Sequence, residues 1–273
     1  MAKKLFNIDG EIFEGMEVLG AGGFGIVIRA KWLSKNEKEV AIKFERKRNR
    51  QSVCGIETEK EVYEVLKHTD ILCVPSAYMF AEDTNFRYMV LSLLGPTLKK
   101  IWLDDSKMNV VDIALKLIDA IEIFHSTGYV HCDIKPENIA MAMTSDQLIL
   151  FDFGVSKYLG KEQSKNVVPA GSALFMSTNM LKGQLTYAND LKSIAYSLVL
   201  LQGKQLPWSD LVSNRNKMNE RDFLEKLLNL KEKTNDEIHK GIEPPLRKFI
   251  KQIMQLKNDV NYTSLRKMLD SAQ

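Results

Sequence analysis

Along the first 95 positions the apolar residues fall in short blocks, each bounded by turn residues or by charge. The blocks 17–19, 26–30, 40–43 and 89–91 therefore predict β-strands. One stretch departs from that habit. From 56 to 67, Ile56, Val62, Tyr63 and Leu66 recur near helical spacing among acidic and basic side chains, which predicts a helix with one buried stripe. After Gly95-Pro96, a breaker pair, the period becomes helical for most of the remaining chain. A helix over 110–125 is apolar almost all round and stops at Gly128, so it should be buried, as should another over 191–201. Amphipathic helices follow over 223–231 and 245–255, with a short last one over 262–269. The pattern is α+β: a small β-rich lobe with one helix over 1–94, then a larger, mainly helical lobe over 95–273. No repeat or long linker separates them, so the halves are expected to pack as one unit.

Composition narrows the function classes. With 45% apolar and 27% charged residues, the 273-residue chain can bury a core, which excludes a fibrous or disordered protein. The 38 basic residues exceed the 35 acidic ones by too little to argue for nucleic acid, and no nucleic-acid partner is expected. Cys54, Cys73 and Cys132 are odd in number and widely spaced, so neither a disulfide framework nor a paired-cysteine zinc site fits, and a reducing compartment is implied. The longest apolar stretches, such as 194–201, are far short of the roughly 18 residues that span a bilayer. A soluble cytoplasmic or nuclear protein without a membrane partner is expected.

Four motifs carry chemistry. Leu19 precedes Gly20-Ala21-Gly22-Gly23-Phe24-Gly25-Ile26-Val27, a G-x-G-x-x-G-x-V hairpin between two predicted strands, where backbone without side chains can approach phosphate oxygens. By itself it could equally be a glycine-rich turn. Lys43 ends the strand Val40-Ala41-Ile42, where an ammonium against an apolar wall needs an anionic partner. Glu59 on the following helix is the expected partner, with Glu57 and Glu61 as rivals; Glu59 is preferred because Val62 and Tyr63 then fall on the packed face. The strongest signal is His131-Cys132-Asp133-Ile134-Lys135-Pro136-Glu137-Asn138, followed by Asp152-Phe153-Gly154. Five further fixed letters in register, at about one in twenty each, arise by chance on the order of once in a million. Asp133 offers a proton acceptor, and Asn138 with Asp152 supplies the oxygen ligands that Mg²⁺ prefers alongside phosphate.

Taken in order, Gly20-x-Gly22-x-x-Gly25, Val40-Ala41-Ile42-Lys43, His131-x-Asp133-x-Lys135-x-x-Asn138 and Asp152-Phe153-Gly154 resemble a eukaryotic protein kinase over nearly the whole chain, about 13–270. The stretches Leu93-Leu94-Gly95-Pro96-Thr97-Leu98, Gly171-Ser172-Ala173 leading to Ser177-Thr178-Asn179, Asp190-Leu191-Lys192-Ser193, Leu206-Pro207-Trp208 and Asn261-Tyr262-x-x-Leu265-Arg266 are similar to the casein kinase I group. The resemblance implies the bilobal protein kinase fold and ATP- and Mg²⁺-dependent phosphorylation of Ser and Thr in protein substrates, often in acidic contexts, by a monomer. It implies that Lys43 holds the α- and β-phosphates and pairs with Glu59, that Asp152 and Asn138 hold Mg²⁺, that Asp133 accepts the substrate hydroxyl's proton and that Lys135 sits on the γ-phosphate. It puts the glycine-rich loop from Leu19 through Gly20, Gly22, Gly23, Phe24 and Gly25 to Val27 over the nucleotide. The adenine is expected between the lobes, bonded to backbone over Ser92, Leu93 and Leu94, with Leu91 at the back and Ile28, Ala41 and Ala140 lining it.

The departures sharpen the reading. Cys132 stands where most kinases have an arginine that pairs with a phosphate on the activation segment, so activity without phosphorylation of 152–179 is expected. Leu174 and Asp210 remove or oppose positive charge where the group binds a substrate phosphate, so at most a weak preference for pre-phosphorylated substrates is expected. Asp190 is expected to brace the catalytic loop, and Trp208 to anchor the core. The basic run Arg46-Lys47-Arg48-Asn49-Arg50 reads as a solvated loop, with a nuclear import signal as the alternative. The alternative function is a catalytically weak pseudokinase serving as a partner-binding scaffold, against which stands the presence of Lys43, Asp133 and Asp152. A kinase of small molecules is disfavoured by the glycine-rich loop together with 171–179. The catalytic unit fills the chain, so regulation by localisation, by partners or by segments within the domain is expected.

Overall fold

The computed structural model describes residues 4–23, 25–47, 55–67, 73–104, 108–160 and 165–270. Phe24, Arg48, Asn49, Arg50 and Cys54 lie outside them. Two compact units emerge: Met1–Gly95 with Met141–Gly154, and Pro96–Ala140 with Val155–Gln273. The first unit is β-rich with one helix and the second is mainly helical, as the periodicity implies. A linear cut at 94/95 does not express the return of 141–154 to the first unit. Long-range bonds decide that return: Gly95 N–H donates to Met141 O (2.9 Å) and Leu150 N–H to Cys73 O (2.8 Å).

The first unit holds six antiparallel strands, β1 (Lys4–Ile8), β2 (Glu11–Gly22), β3 (Gly25–Trp32), β4 (Lys38–Arg46), β5 (Ala77–Glu82) and β6 (Phe86–Ser92), in the order β1-β2-β3-β4-β6-β5. Four strands were legible in the hydrophobic blocks; β1, β5 and most of β2 were not. The β1–β2 connection is Asp9-Gly10, both at positive φ (51° and 82°), the Asp-Gly pair that suits a tight hairpin, so a turn signal was present. The core gathers on one face, where Phe13, Trp32, Val40, Ile42 and Val90 pack together, with Phe13 and Trp32 ring centroids 5.2 Å apart. Helix α1 (Gly55–Leu66) buries the predicted stripe of Ile56, Val62, Tyr63 and Leu66. Its first turn is tied to β4 by Glu45, whose carboxylate accepts from Ile56 N–H (3.0 Å).

In the second unit α2 (Leu98–Asp104) precedes α3 (Val110–His125), whose first turn is capped by the Asn109 side chain accepting from Asp112 N–H. Strand β7 (Tyr129–Val130) follows and pairs with β10 (Lys157–Tyr158); β8 (Ile139–Met141) runs to the start of the segment 141–154, whose β9 (Leu148–Leu150) belongs to the first unit. Then come α4 (Thr178–Leu181), α5 (Ala188–Leu201), α6 (Ser209–Ser213), α7 (Glu220–Thr234), α8 (Leu246–Met254) and α9 (Tyr262–Asp270). All but one residue of α5 is buried, including the polar Asn189, Asp190, Lys192, Ser193 and Ser197. Trp208 is fully buried, edge-on to Tyr196 at 4.9 Å. Among the described residues no helix is long and apolar enough to cross a membrane.

Phe13 is wholly buried in the sheet core. Phe13→Ala is expected to cost about 3–5 kcal/mol, read from chemical denaturation followed by tryptophan fluorescence.

Candidate active site

In the first unit, β4 aims Lys43 into an acidic pair. Its Nζ donates to Glu59 Oε1 and to Asp152 Oδ1, the latter at 2.8 Å. Of the three rival glutamates, Glu59 alone faces it. Glu57 pairs with Arg87 on the other side of the helix. Burial opposes the ammonium, yet Glu59 and Asp152 outweigh it and push the Lys43 pKa up, so the charge is fixed. Glu59 is 1% exposed, and burial pushes its carboxyl up to about 7 in spite of Lys43.

Antiparallel register sorts the neighbours of Lys43 by face. Val27 lies opposite Lys43, and Leu91 opposite Ala41, so Val27, Ala41, Lys43 and Leu91 share one face. Ile28 lies opposite Ile42 and packs with the sheet core, on the other face. Its expected place in the adenine lining is corrected by the pleat: one residue along a strand reverses the side chain. Leu19 sits at a register irregularity between Val18 and Gly20 and is exposed. Ser92 commits its N–H to Ser76 O (2.9 Å) and its hydroxyl to Ser76 N–H (3.0 Å), so its amide has a partner already. The peptide groups of Leu93 and Leu94 have no such bond among the described residues.

The β2–β3 hairpin gives two kinds of glycine. At Gly25 (φ 119°) a Cβ would fall 1.9 Å from Phe44 O, so packing alone demands glycine. At Gly20, Gly22 and Gly23 a Cβ would meet nothing within 4 Å, so protein packing does not explain those glycines. They leave open space beside backbone N–H groups, as a phosphate ligand requires. The donor set of the first unit fits a nucleotide's phosphates: open glycine backbone, the fixed cation of Lys43 and, in Asp152, a carboxylate oxygen of the kind that Mg²⁺ prefers.

In the second unit the catalytic loop is organised around Asp190, at 0% exposure on α5. Its carboxylate accepts from His131 N–H (2.7 Å), Cys132 N–H (2.9 Å) and His125 Nε2 (2.9 Å). A carboxylate only accepts, so His125 carries a proton on Nε2, and its Nδ1 meets the Tyr262 hydroxyl at 2.5 Å. These bonds hold Cys132 in the left-handed region (φ 67°), a strain for a side chain with a Cβ. Burial pushes its thiol far above the ordinary range, so Cys132 is an inert filler.

The turn delivers Asp133, whose carboxylate takes three donors: Ser172 N–H on Oδ1 (2.7 Å), and Lys135 Nζ (2.7 Å) and Asn138 Nδ2 (3.0 Å) on Oδ2. A carboxylate offers about four acceptor directions, so the remaining one is on Oδ1. Asn138 spends its amide N–H groups on Asp133, which leaves its Oδ1 to meet a cation. Lys135 also donates to Ser172 Oγ (2.8 Å). Ser172 joins the site through both backbone and side chain, although the sequence marked it only as part of Gly171-Ser172-Ala173. Gly171 (φ 96°) admits this approach, since a Cβ there would strike Cys132 O at 2.0 Å. Ala140 is buried at a bridge to Thr97. Among the described residues no cluster of three or more His, Cys, Asp or Glu could cage a metal.

Residues 13–270 match the protein kinase domain as a family. The chain belongs to that family. This kinase domain is also similar to the casein kinase I homolog RAG8 of Kluyveromyces lactis, with 26% identity over 270 residues, covering 92% of this chain and 49% of that one. It therefore spans about half the length of the curated relative it matches. The casein kinase I motifs of the sequence agree with that likeness.

Because the Glu59 carboxyl is raised from 4.5 to about 7 in the folded state, its stabilising contribution is full below about pH 4.5 and is lost as pH rises through about 7. Glu59→Gln is expected to flatten the fall in stability over that window, measured as unfolding free energy against pH.

Proposed function

We propose that this kinase domain transfers the γ-phosphate of ATP to serine and threonine hydroxyls of protein substrates, in the manner of casein kinase I. The observation that carries the reading is the Asp133 carboxylate, fixed by three donors with one acceptor direction on Oδ1 left over. The acceptor hydroxyl gives its proton to Asp133 as its oxygen bonds to the γ-phosphorus. The bond from that phosphorus to the bridging oxygen breaks, and ADP leaves. Lys135 neutralises charge on the moving phosphoryl group. Lys43, held by Glu59, carries the α- and β-phosphates beneath Gly20, Gly22 and Gly23. Asp152 and Asn138 hold Mg²⁺, which when bound offsets phosphate charge. Adenine bonds to the backbone of Leu93 and Leu94, against Ala41 and Leu91. Positioning and charge supply most of the rate in such a reaction, so these side chains suffice for it.

The same reading takes Ser or Thr in acidic protein contexts as the substrate and a monomer in the cytoplasm, the nucleus or both as the working form. The two units are proposed as the two lobes of one catalytic domain. Incubation with labelled ATP and Mg²⁺ on an acidic protein substrate tests the reading. Wild type is expected to label serine, with Lys43→Met and Asp152→Asn lower by about a hundredfold or more. ATP binding without transfer by wild type establishes the scaffold alternative instead.

Cys132 offers no cation for an activation-segment phosphate, and its thiol is buried. Phosphatase treatment is therefore expected to leave most of the activity in place; loss of most of it refutes independence from phosphorylation.

A further inference from the structure

Lys231 on α7 is fully buried, and among the described residues no carboxylate lies against it. Burying an amine is costly without partners, so its partners show what the position is for. Nζ donates to Met176 O (2.5 Å) and Leu174 O (3.2 Å). It rests on the Trp208 ring at 4.4 Å and the Tyr196 ring at 4.8 Å, and burial holds its pKa well below the usual lysine range. Two neighbours grip the same stretch. The Trp208 indole N–H donates to Leu174 O (2.7 Å), and Ser193 Oγ donates to Phe175 O (2.8 Å). Three successive carbonyls, 174 to 176, are thus each held by a side chain from the helical core.

The other end of that stretch is Ser172. Its carbonyl accepts from Phe175 and Met176 N–H, both at 2.9 Å, its N–H donates to Asp133 Oδ1, and its hydroxyl accepts from Lys135. A continuous path therefore runs from Lys231 through Met176 and Ser172 to the proton-accepting carboxylate. We propose that Lys231 is a positioning residue for the protein substrate, setting through residues 172–176 where the acceptor serine or threonine meets Asp133 and Lys135. The inference rests on the kinase reading, in which the acceptor hydroxyl meets Asp133, the carboxylate that Ser172 N–H holds. The nucleotide contacts assigned above to Gly20, Gly22, Gly23, Lys43, Leu93 and Leu94 lie elsewhere in the chain. Of the nucleotide, only the phosphoryl group in transfer is assigned to Lys135, which Ser172 holds, so the effect should fall on the peptide KM rather than on the ATP KM.

The test uses the full chain and steady-state kinetics on an acidic serine peptide, with ATP and peptide varied separately. Lys231→Met keeps the stem and removes the donors. It is expected to raise the peptide KM about tenfold, as loss of one to two hydrogen bonds implies, with the ATP KM changed by less than about twofold. Trp208→Phe keeps an aromatic ring and removes one donor to Leu174, so a peptide-selective rise of about threefold is expected. A role in packing alone lowers the active fraction, and with it kcat, but leaves both KM values in place. Unchanged peptide KM in both variants, with wild type active, overturns the proposal; if Lys231→Met fails to fold, Trp208→Phe decides it. No transfer by wild type refutes the kinase reading first, and the proposal with it.

Discussion

A carboxylate with no access to water, Asp190, is the constraint on which the helical unit depends. Three N–H donors converge on it from His131, Cys132 and His125, and a donor buried at that depth is costly to leave unpaired. The bonds hold the backbone at Cys132 in a conformation that costs energy for a residue with a Cβ, and this bend sends Asp133 and Cys132 O in the directions the site uses. Gly171 then comes so close to Cys132 O that only glycine fits. Ser172 is carried with it to Asp133. The geometry of the proposed proton acceptor is thus a consequence of a buried charge on α5, 57 residues further along the chain, and not of its own neighbours in sequence.

The β-rich unit solves a related problem with opposite signs. Lys43 is an ammonium at 7% exposure, and Glu59 and Asp152 together keep it ionised. One acid comes from α1 and the other from the segment that returns after the second unit has begun, so the cation ties three separated stretches together. Lys231 shows the third solution. Lacking a carboxylate, it is accommodated by carbonyl oxygens and ring faces, and the cost of burying it is offset only while residues 174–176 stay in place.

Much of this could be read from the letters because the groups that do chemistry are constrained in type and in local spacing. Asp133, Lys135 and Asn138 lie on one short loop, and their mutual bonds follow from that spacing. Glu59 was separable from Glu57 and Glu61 because the helical period sets which side chains share a face with Val62 and Tyr63. Strand β1 escaped because Lys4 and Asn7 interrupt its few apolar residues, although Asp9-Gly10 marked the first hairpin; β5 was missed although Ala77-Tyr78-Met79-Phe80-Ala81 is an apolar block bounded by Ser76 and Glu82. Ile28 was misplaced for a narrower reason: a strand reverses its side chains at every residue, and a composition block has no phase until a partner strand supplies the register.

What the sequence determined by itself was the class of fold, the order of its parts and the identity of the ionisable groups, since periodicity and short-range spacing are properties of neighbouring residues. Only the tertiary structure decided which distant groups meet. It brought Asp152 to Lys43, Asp190 to the amides of His131 and Cys132, Ser172 to Asp133, and Lys231 to the carbonyls of Leu174 and Met176. Each of these is a buried polar contact between stretches far apart in the chain. Burial makes an unpaired charge or amide too costly to leave, yet which partner relieves it depends on packing that no local pattern contains.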